Sequence, residues 1–446
     1  MTNIRNMPPD RGTAAWDALL PPRQAYPELA STMQADFLVI GAGFAGLSAA
    51  RRLQQLQPTA RIVVLEGRRV AQGPAGRNSG FMIDLPHELT SDDYAGESAE
   101  KDRRQTSLNR SAIRFAKDAV SEYAMPAETM ALSGKVNAAA TAKGVHHNTQ
   151  YAQHLDKLGE TYRLLSADDM QALTGTRYYQ GGLWTPGTAM IQPALYIRSL
   201  AAGLQQQGLQ IFEQSPVKAL NRAEGGWQAD TPKGVVHAKK VILAVNGLVE
   251  HFGYYTRRLM HVMLYASITR ALTPEECKRL GGESTWGLTP ADPLGTTVRR
   301  ISGASGDRII IRNCAYYDPE MNSPKHRMEL VARKHVTTFK ARFPMLADVD
   351  MEYSWDGRLC LSRNSVFALG EVDEGVYSAC CQNGLGTVKG TVSGIIAAEQ
   401  AAGATTTLLP DYRPEPLPTK LMPEPLMLVG ANAYLRWKEF RAGADF

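Results

Sequence analysis

The chain has 446 residues, 44% hydrophobic and 21% charged, with a net charge of +5. That composition excludes a disordered chain, and the length favours two intimately connected domains over one. Basic and acidic residues are interspersed without a nucleic-acid footprint, and no stretch reaches the ~20 apolar residues of a membrane span.

The opening MTNIRNMPPDRG carries no apolar leader-like run, so a soluble cytoplasmic protein is the expectation. After about thirty polar, Pro-containing residues comes ADFLVIGAGFAGLSAARRLQQL, an apolar strand, a glycine turn, then Leu47, Ala50, Leu53 and Leu56 at helical spacing. A second strand, RIVVLE, ends on Glu66. Together they form one βαβ unit. Its turn, Gly41-Ala42-Gly43-Phe44-Ala45-Gly46, is GxGxxG, and Glu66 follows at the distance of a carboxylate that accepts from ribose hydroxyls. Gly41 permits the tight turn, Gly43 lets backbone N–H groups meet a pyrophosphate at the positive helix end, and Gly46 allows close helix–strand packing. The motif predicts a bound dinucleotide.

Beyond Glu66, the loop GPAGRNSGF places three glycines within eight residues beside Arg77, Asn78 and Ser79. Such a loop lets backbone lie close to something flat or charged. His146, His147 and His154 lack ligand-like partners and read as solvated. A β-rich block then runs from GLQIFEQSPVKAL to VILAVNG, and the last third brings two strands, the turn NGLGTVKG and a small-residue helix of about a dozen residues. Gly384 and Gly386 open that helix, whose N-terminal dipole suits negative charge on the N1–C2=O edge of a reduced flavin, which points to flavin over nicotinamide. Cys277, Cys314, Cys360, Cys380 and Cys381 form no CxxC pair; neither zinc nor a disulfide framework is indicated, and the compartment reads as reducing. Six prolines interrupt residues 406–426 before LMLVGANAYLRWKEFR resumes a short amphipathic pattern.

The GxGxxG with Glu66, the GPAGRNSGF loop, VILAVNG, YSWDGRLCLSRN and the late GLGT, in that order over residues 30–400, together resemble the D-amino-acid oxidase superfamily of FAD-dependent oxidoreductases, closest to its gamma-glutamylputrescine oxidoreductase-like branch. The resemblance implies FAD held by Gly41, Ala42, Gly43, Phe44, Ala45, Gly46, Glu66, Arg68, Arg77, Asn78, Ser79, Val217, Ala244, Asn246, Gly247, Gly384, Leu385, Gly386 and Thr387. Arg77, Asn78 and Ser79 would touch its phosphates and ring, and Val217 would hold the adenine end through its backbone. The family often has Gly-His-Gly where this chain has Gly384-Leu385-Gly386. Cys360 is displaced from the cysteine that carries covalent flavin in some relatives, so non-covalent FAD is expected, and Cys380 and Cys381 read as core residues.

The fold class is α/β: a discontinuous Rossmann-like FAD-binding domain (residues 31–95, 186–255 and 345–405) and a sheet-containing substrate domain (96–185 and 256–344), with an N-terminal extension (1–30) and a Pro-rich tail with a short helix (406–446). The expected reaction is oxidation of the C–N bond of a small amine or amino acid, by hydride transfer to flavin N5 and imine hydrolysis, with oxygen or an electron carrier as the final acceptor. Arg300 and Arg312 are candidates for a substrate carboxylate, because a guanidinium fork matches one bidentately; Trp355 and Tyr265 would wall the pocket. A carboxylate-bearing secondary amine such as an iminodiacetate-like compound, or a gamma-glutamyl-amine, fits best. The alternatives are an FAD-dependent hydroxylase, disfavoured because ALGEVDEG supplies no late GD motif, and a flavoprotein subunit of a larger dehydrogenase complex.

Overall fold

The computed structural model describes residues 2–4, 7–86 and 98–446; the expected domain boundary at 95/96 lies outside them. Two large sheets organise the chain. In the first, the parallel strands Gln210–Phe212, Ile62–Leu65, Thr32–Ile40 and Val235–Leu243 lie side by side. Val235–Leu243 splits its outer edge between two neighbours. Its first half pairs with the antiparallel Gly226–Asp230 and its last three residues with the parallel Val376–Cys380. Leu38, Val39, Val63, Val64, Ile242 and Leu243 are all fully buried, as a central parallel strand requires with helices on its faces.

The helix Phe44–Leu56 packs on Val388–Ala402, and small residues make the close crossing possible. A methyl on Gly394 would be driven into the Ala45 carbonyl, and one on Gly46, behind the glycine turn, into the Gly41 carbonyl. The two ends of the first domain, far apart in sequence, are thereby locked together.

The second sheet has eight strands in the order Met351–Ser362, Leu259–Thr269, Arg308–Tyr317, Thr297–Ile301, Trp286–Pro290, Lys135–Ala139, Gly181–Thr185 and Arg163–Leu165. All neighbours are antiparallel except Trp286–Pro290 with Lys135–Ala139. Strands from both expected substrate segments meet here. Met351–Ser362 joins them, although the sequence reading assigned it to the FAD-binding domain; its pairing with Leu259–Thr269 runs over the whole strand. In the opposite sense, helix Ala99–Glu122, from a substrate segment, packs against Val388–Ala402 and is tied to the first domain by the Arg51 guanidinium, which donates to the Phe115 carbonyl at 2.6 Å and to Glu122. A β-bulge opposite Leu264 and Tyr265 leaves Cys314 of Arg308–Tyr317, at φ +60°, without a register partner.

The terminal segments are also integrated. Thr2–Asn3 pairs with Ala219–Leu220 at the edge of the first sheet, and residues 7–12 run on between the two sheets. The tail ends in a 17-residue helix, Leu426–Ala442, packed beside Arg308–Tyr317. Among the histidines expected to be solvated, His147 is buried and His154 holds Asp102 at 2.7 Å; only His146 is exposed.

Candidate cofactor and substrate site

A cleft of ≈ 300 Å³ runs from the glycine turn of the first sheet to the bulged strand of the second. Its floor begins at Gly41, whose φ of +105° suits glycine and whose added methyl would sit 2.6 Å from the Ala244 carbonyl. Glu66 closes the turn: one carboxylate oxygen accepts from Ala42 N–H at 3.0 Å and the other from Arg68 N–H at 2.9 Å. Burial pushes its carboxyl above the ordinary range, opposed by those two backbone donors. Remaining lone pairs are available to hydroxyl donors.

Two helix N-termini meet at this cleft. Neither Gly43, before Phe44–Leu56, nor Thr387, before Val388–Ala402, supplies a side-chain cap, so both helices present backbone donors with partial positive charge. A Cβ on Gly386 would meet nothing within 4 Å, which leaves backbone there open to a ligand. A long diphosphate with a polarisable ring fits this donor set: one helix end for pyrophosphate, the other for the ring's acceptor edge, Glu66 for ribose.

Of the residues the sequence singled out, Gly41 to Ala45, Glu66, Arg68, Arg77 to Ser79, Val217, Ala244, Asn246, Gly247, Gly384 and Gly386 line the cleft, together with Tyr265, Arg312 and Trp355. Several do so in a role other than expected. Arg77 is buried with its guanidinium spent on protein: its Nε donates to the Asp356 carbonyl at 2.7 Å, and its terminal nitrogen meets Asp356 Oδ1 at 3.1 Å and the Arg11 and Gly12 carbonyls. Asn78 braces its own loop, donating to Ala75 O at 2.7 Å and accepting from Gly80 N–H at 2.9 Å. Arg68 is paired with Asp10 at 2.8 Å. These side chains hold the loop through their contacts with protein. Leu385 belongs to the core, and the Thr387 hydroxyl donates to the Phe81 carbonyl at 2.6 Å. Gly46 lies behind the turn, against the Gly41 carbonyl and Ala244.

Arg300 is not brought to the site. Its guanidinium donates to the Gly281 and Glu283 carbonyls at 2.6 and 3.0 Å and to Asp307 at 3.0 Å. Adjacent residues on a strand face opposite ways, and Arg299 points the other way: it donates to the Ser79 and Ile191 carbonyls at 2.8 and 2.9 Å and lies over the Trp16 and Phe81 rings. Burial drives the Arg299 pKa down to about 9. Arg299 fixes the glycine loop from beneath.

At the far end Tyr265, Arg312, Leu264, Ala266, Ile310, Met321 and Trp355 enclose the cleft. The Tyr265 hydroxyl is 3.0 Å from Ser323 Oγ, and burial raises its pKa, so it stays a neutral donor. Trp355 anchors its indole N–H on the Arg77 carbonyl at 3.1 Å. Along the side wall, His261 pairs through Nε2 with Glu250 at 2.7 Å, while Nδ1 faces Gly247. Sequence reasoning missed this pair, and also Asp10, Arg299, Asp356 and Arg358. Asp10 was legible only as one carboxylate in a polar leader, yet it joins Arg68 of one sheet region to Arg358 of the other. Cys360, Cys380 and Cys381 are all buried.

Residues 36–400 match the family described as FAD dependent oxidoreductase (DAO), and the chain belongs to that family. It is an FAD-dependent oxidoreductase. It is similar to a probable oxidoreductase OrdL of Haemophilus influenzae (26% identity over 393 residues, 85% of each chain) and to gamma-glutamylputrescine oxidoreductase of Escherichia coli (22% over 386 residues, 85% of this chain and 86% of the other). Its fold superposes on glycine oxidase from Geobacillus kaustophilus with a TM-score of 0.68 at 15% identity, covering 84% of this chain and 96% of the other.

Proposed function

We propose that the protein oxidises the C–N bond of a small amine that carries a carboxylate: an amino acid, an iminodiacetate-like secondary amine or a gamma-glutamyl-amine. The observation that supports this is the place of Arg312 in the wall of the cleft, beside its strand partner Ala266, in the same cleft that the two helix N-termini enter. Bound there non-covalently, FAD supplies the acceptor for the hydride that leaves the carbon beside the amine, and the imine so formed hydrolyses in water.

The chain's own residues orient and desolvate. Arg312 would bind the carboxylate as a bidentate fork, and Leu264, Ala266, Ile310 and Trp355 would hold the C–H bond in a dry pocket. No side chain need take a proton if the amine arrives neutral. The names of two relatives agree with an amine or amino acid as the reductant: gamma-glutamylputrescine oxidoreductase and glycine oxidase.

An anaerobic screen of amines and amino acids, read by bleaching of the flavin, tests the reading. Reduction by carboxylate-bearing amines is expected, with Arg312→Met lowering kcat/KM for the anionic substrate by about 2–4 kcal/mol in transition-state terms while an uncharged analogue loses little. Bleaching by carboxylate-free amines alone would overturn it.

A further inference from the structure

The helix Leu426–Ala442 meets the protein through polar anchors set among the half-buried Met427, Ala431 and Leu435: Asn432 accepts from Tyr317 N–H at 3.0 Å and donates to Tyr317 O at 2.9 Å, and Glu439 accepts from Ala315 N–H at 3.0 Å. These side chains satisfy strand backbone where the neighbouring strand Thr297–Ile301 no longer covers it. Arg436 adds a donor to the Ala315 carbonyl. The opposite side is apolar and in the open. Leu426, Val429, Ala433, Trp437 and Phe440 follow one another at steps of three or four residues, so they share a face. Leu426 is 66% exposed, Val429 68%, Trp437 48% and Phe440 85%. Leu417 and Met422, just upstream, are exposed as well. A surface helix ordinarily buries such a stripe.

Charge decides what covers it. Arg441 is exposed on the same face, 5.0 Å over the Trp437 ring. The nearby carboxylates are both engaged toward the protein. Glu424 accepts from the Tyr317 hydroxyl at 2.6 Å and from Leu428 N–H at 3.0 Å, and Glu439 pairs with Arg436 at 2.6 Å. A second copy of this face would bring more cations and no outward carboxylate to meet them. An anionic lipid surface supplies both an apolar layer and the opposite charge. Trp, Tyr and Phe beside Leu and Val, with Arg at the rim, is the composition of a helix lying in the plane of a membrane interface. At about 25 Å in length, the helix would lie flat and not span.

We propose that Leu426–Ala442 docks the enzyme peripherally on an anionic bilayer, with Leu426, Val429, Trp437 and Phe440 inserted among the acyl chains and Arg441 at the headgroups. The proposal stands apart from the choice of substrate.

The test is co-sedimentation of the FAD-loaded full chain with vesicles of phosphatidylcholine alone or with about 30% phosphatidylglycerol. Wild type should sediment with the anionic vesicles, be released by high salt and stay in solution with the neutral ones. Phe440→Ser should weaken partitioning about tenfold or more, and Arg441→Gln about fivefold, the effect of one cation near the surface. Flavin content and turnover should be unchanged in both, which separates lost docking from lost folding. Wild type left in solution at every lipid composition would overturn the proposal, as would variants that sediment like wild type. A dimer in gel filtration that Phe440→Ser dissolves, without vesicle binding, would assign the face to a second copy and overturn it equally.

Discussion

Replacing Glu66 with Ala tests the expected ribose contact of the cofactor. In the structure its carboxylate is held by Ala42 N–H at 3.0 Å and Arg68 N–H at 2.9 Å, with its other lone pairs left to hydroxyl donors. Loss of a charge-assisted hydrogen bond to ribose removes about 1.5–3 kcal/mol of binding. At 1.36 kcal/mol per decade, that is an increase in the Kd for FAD of roughly 10- to 150-fold. The assay is titration of apoprotein with FAD, followed by flavin fluorescence quenching, with circular dichroism of the apoprotein as the control on folding. Two backbone donors lose their partner as well, so the apoprotein should be destabilised by about 1–3 kcal/mol. Glu66→Gln separates these effects, because its carboxamide oxygen still accepts from one backbone donor while the charge is gone. It should recover part of the stability and little of the affinity. An unchanged Kd in a folded Glu66→Ala protein would refute the assignment of Glu66 to the ribose.

Gly46→Ala should cost about 3 kcal/mol and strip the protein of flavin, because a methyl there overlaps the Gly41 carbonyl; a wild-type thermal transition with full yellow colour would contradict it. Breaking the buried pair at 3.1 Å with Asp356→Asn or Arg77→Met should lower stability by about 3–5 kcal/mol by urea unfolding, and the double variant should lose less than the sum. Lys135 is fully buried against Asn137 and Thr289, and desolvation brings its pKa from 10.5 down to about 7. The folded chain therefore holds fewer protons than the unfolded chain between about pH 7 and 10.5, so stability rises with pH through that window and levels off below it. Lys135→Met should abolish the rise, whose slope approaches ~1.4 kcal/mol per pH unit; parallel unfolding profiles at pH 7 and 9 would exclude it.

The glycine turn was legible because its chemistry is local: Gly41, Gly43, Gly46 and Glu66 lie within one βαβ unit, and their spacing alone specifies the turn, the helix end and the carboxylate. Pairings made between distant segments were not legible. Arg299 and Arg300 look alike in TTVRRISG, and only the register of Thr297–Ile301 decides that Arg299 reaches Ser79 while Arg300 turns to Asp307. Arg77 sits in the right loop, but its partners Asp356, Arg11 and Gly12 come from both ends of the chain. Met351–Ser362 reads as a strand without stating which sheet it joins. The terminal helix shows amphipathy, but a pattern of apolar residues does not say which side faces the protein, and here the side that does carries the polar anchors Asn432 and Glu439.

The crossing of Phe44–Leu56 with Val388–Ala402 has a consequence for biosynthesis. Arg52 and Glu399, hydrogen-bonded across it, are 347 residues apart. A ribosome that has made the glycine turn and Glu66 has made half of a cofactor site whose other helix end emerges only near the close of translation. Until then the first helix lacks the partner whose Gly394 packs on Ala45, although its strand already has Val235–Leu243 to pair with. Closing so long a loop adds only about 0.6 kcal/mol for each doubling of its length, so the delay is one of order and not of energy. Flavin loading is thus coupled to completion of the chain, and a polypeptide released before Val388 would have the motif of a flavoprotein without the second helix end that the cleft requires.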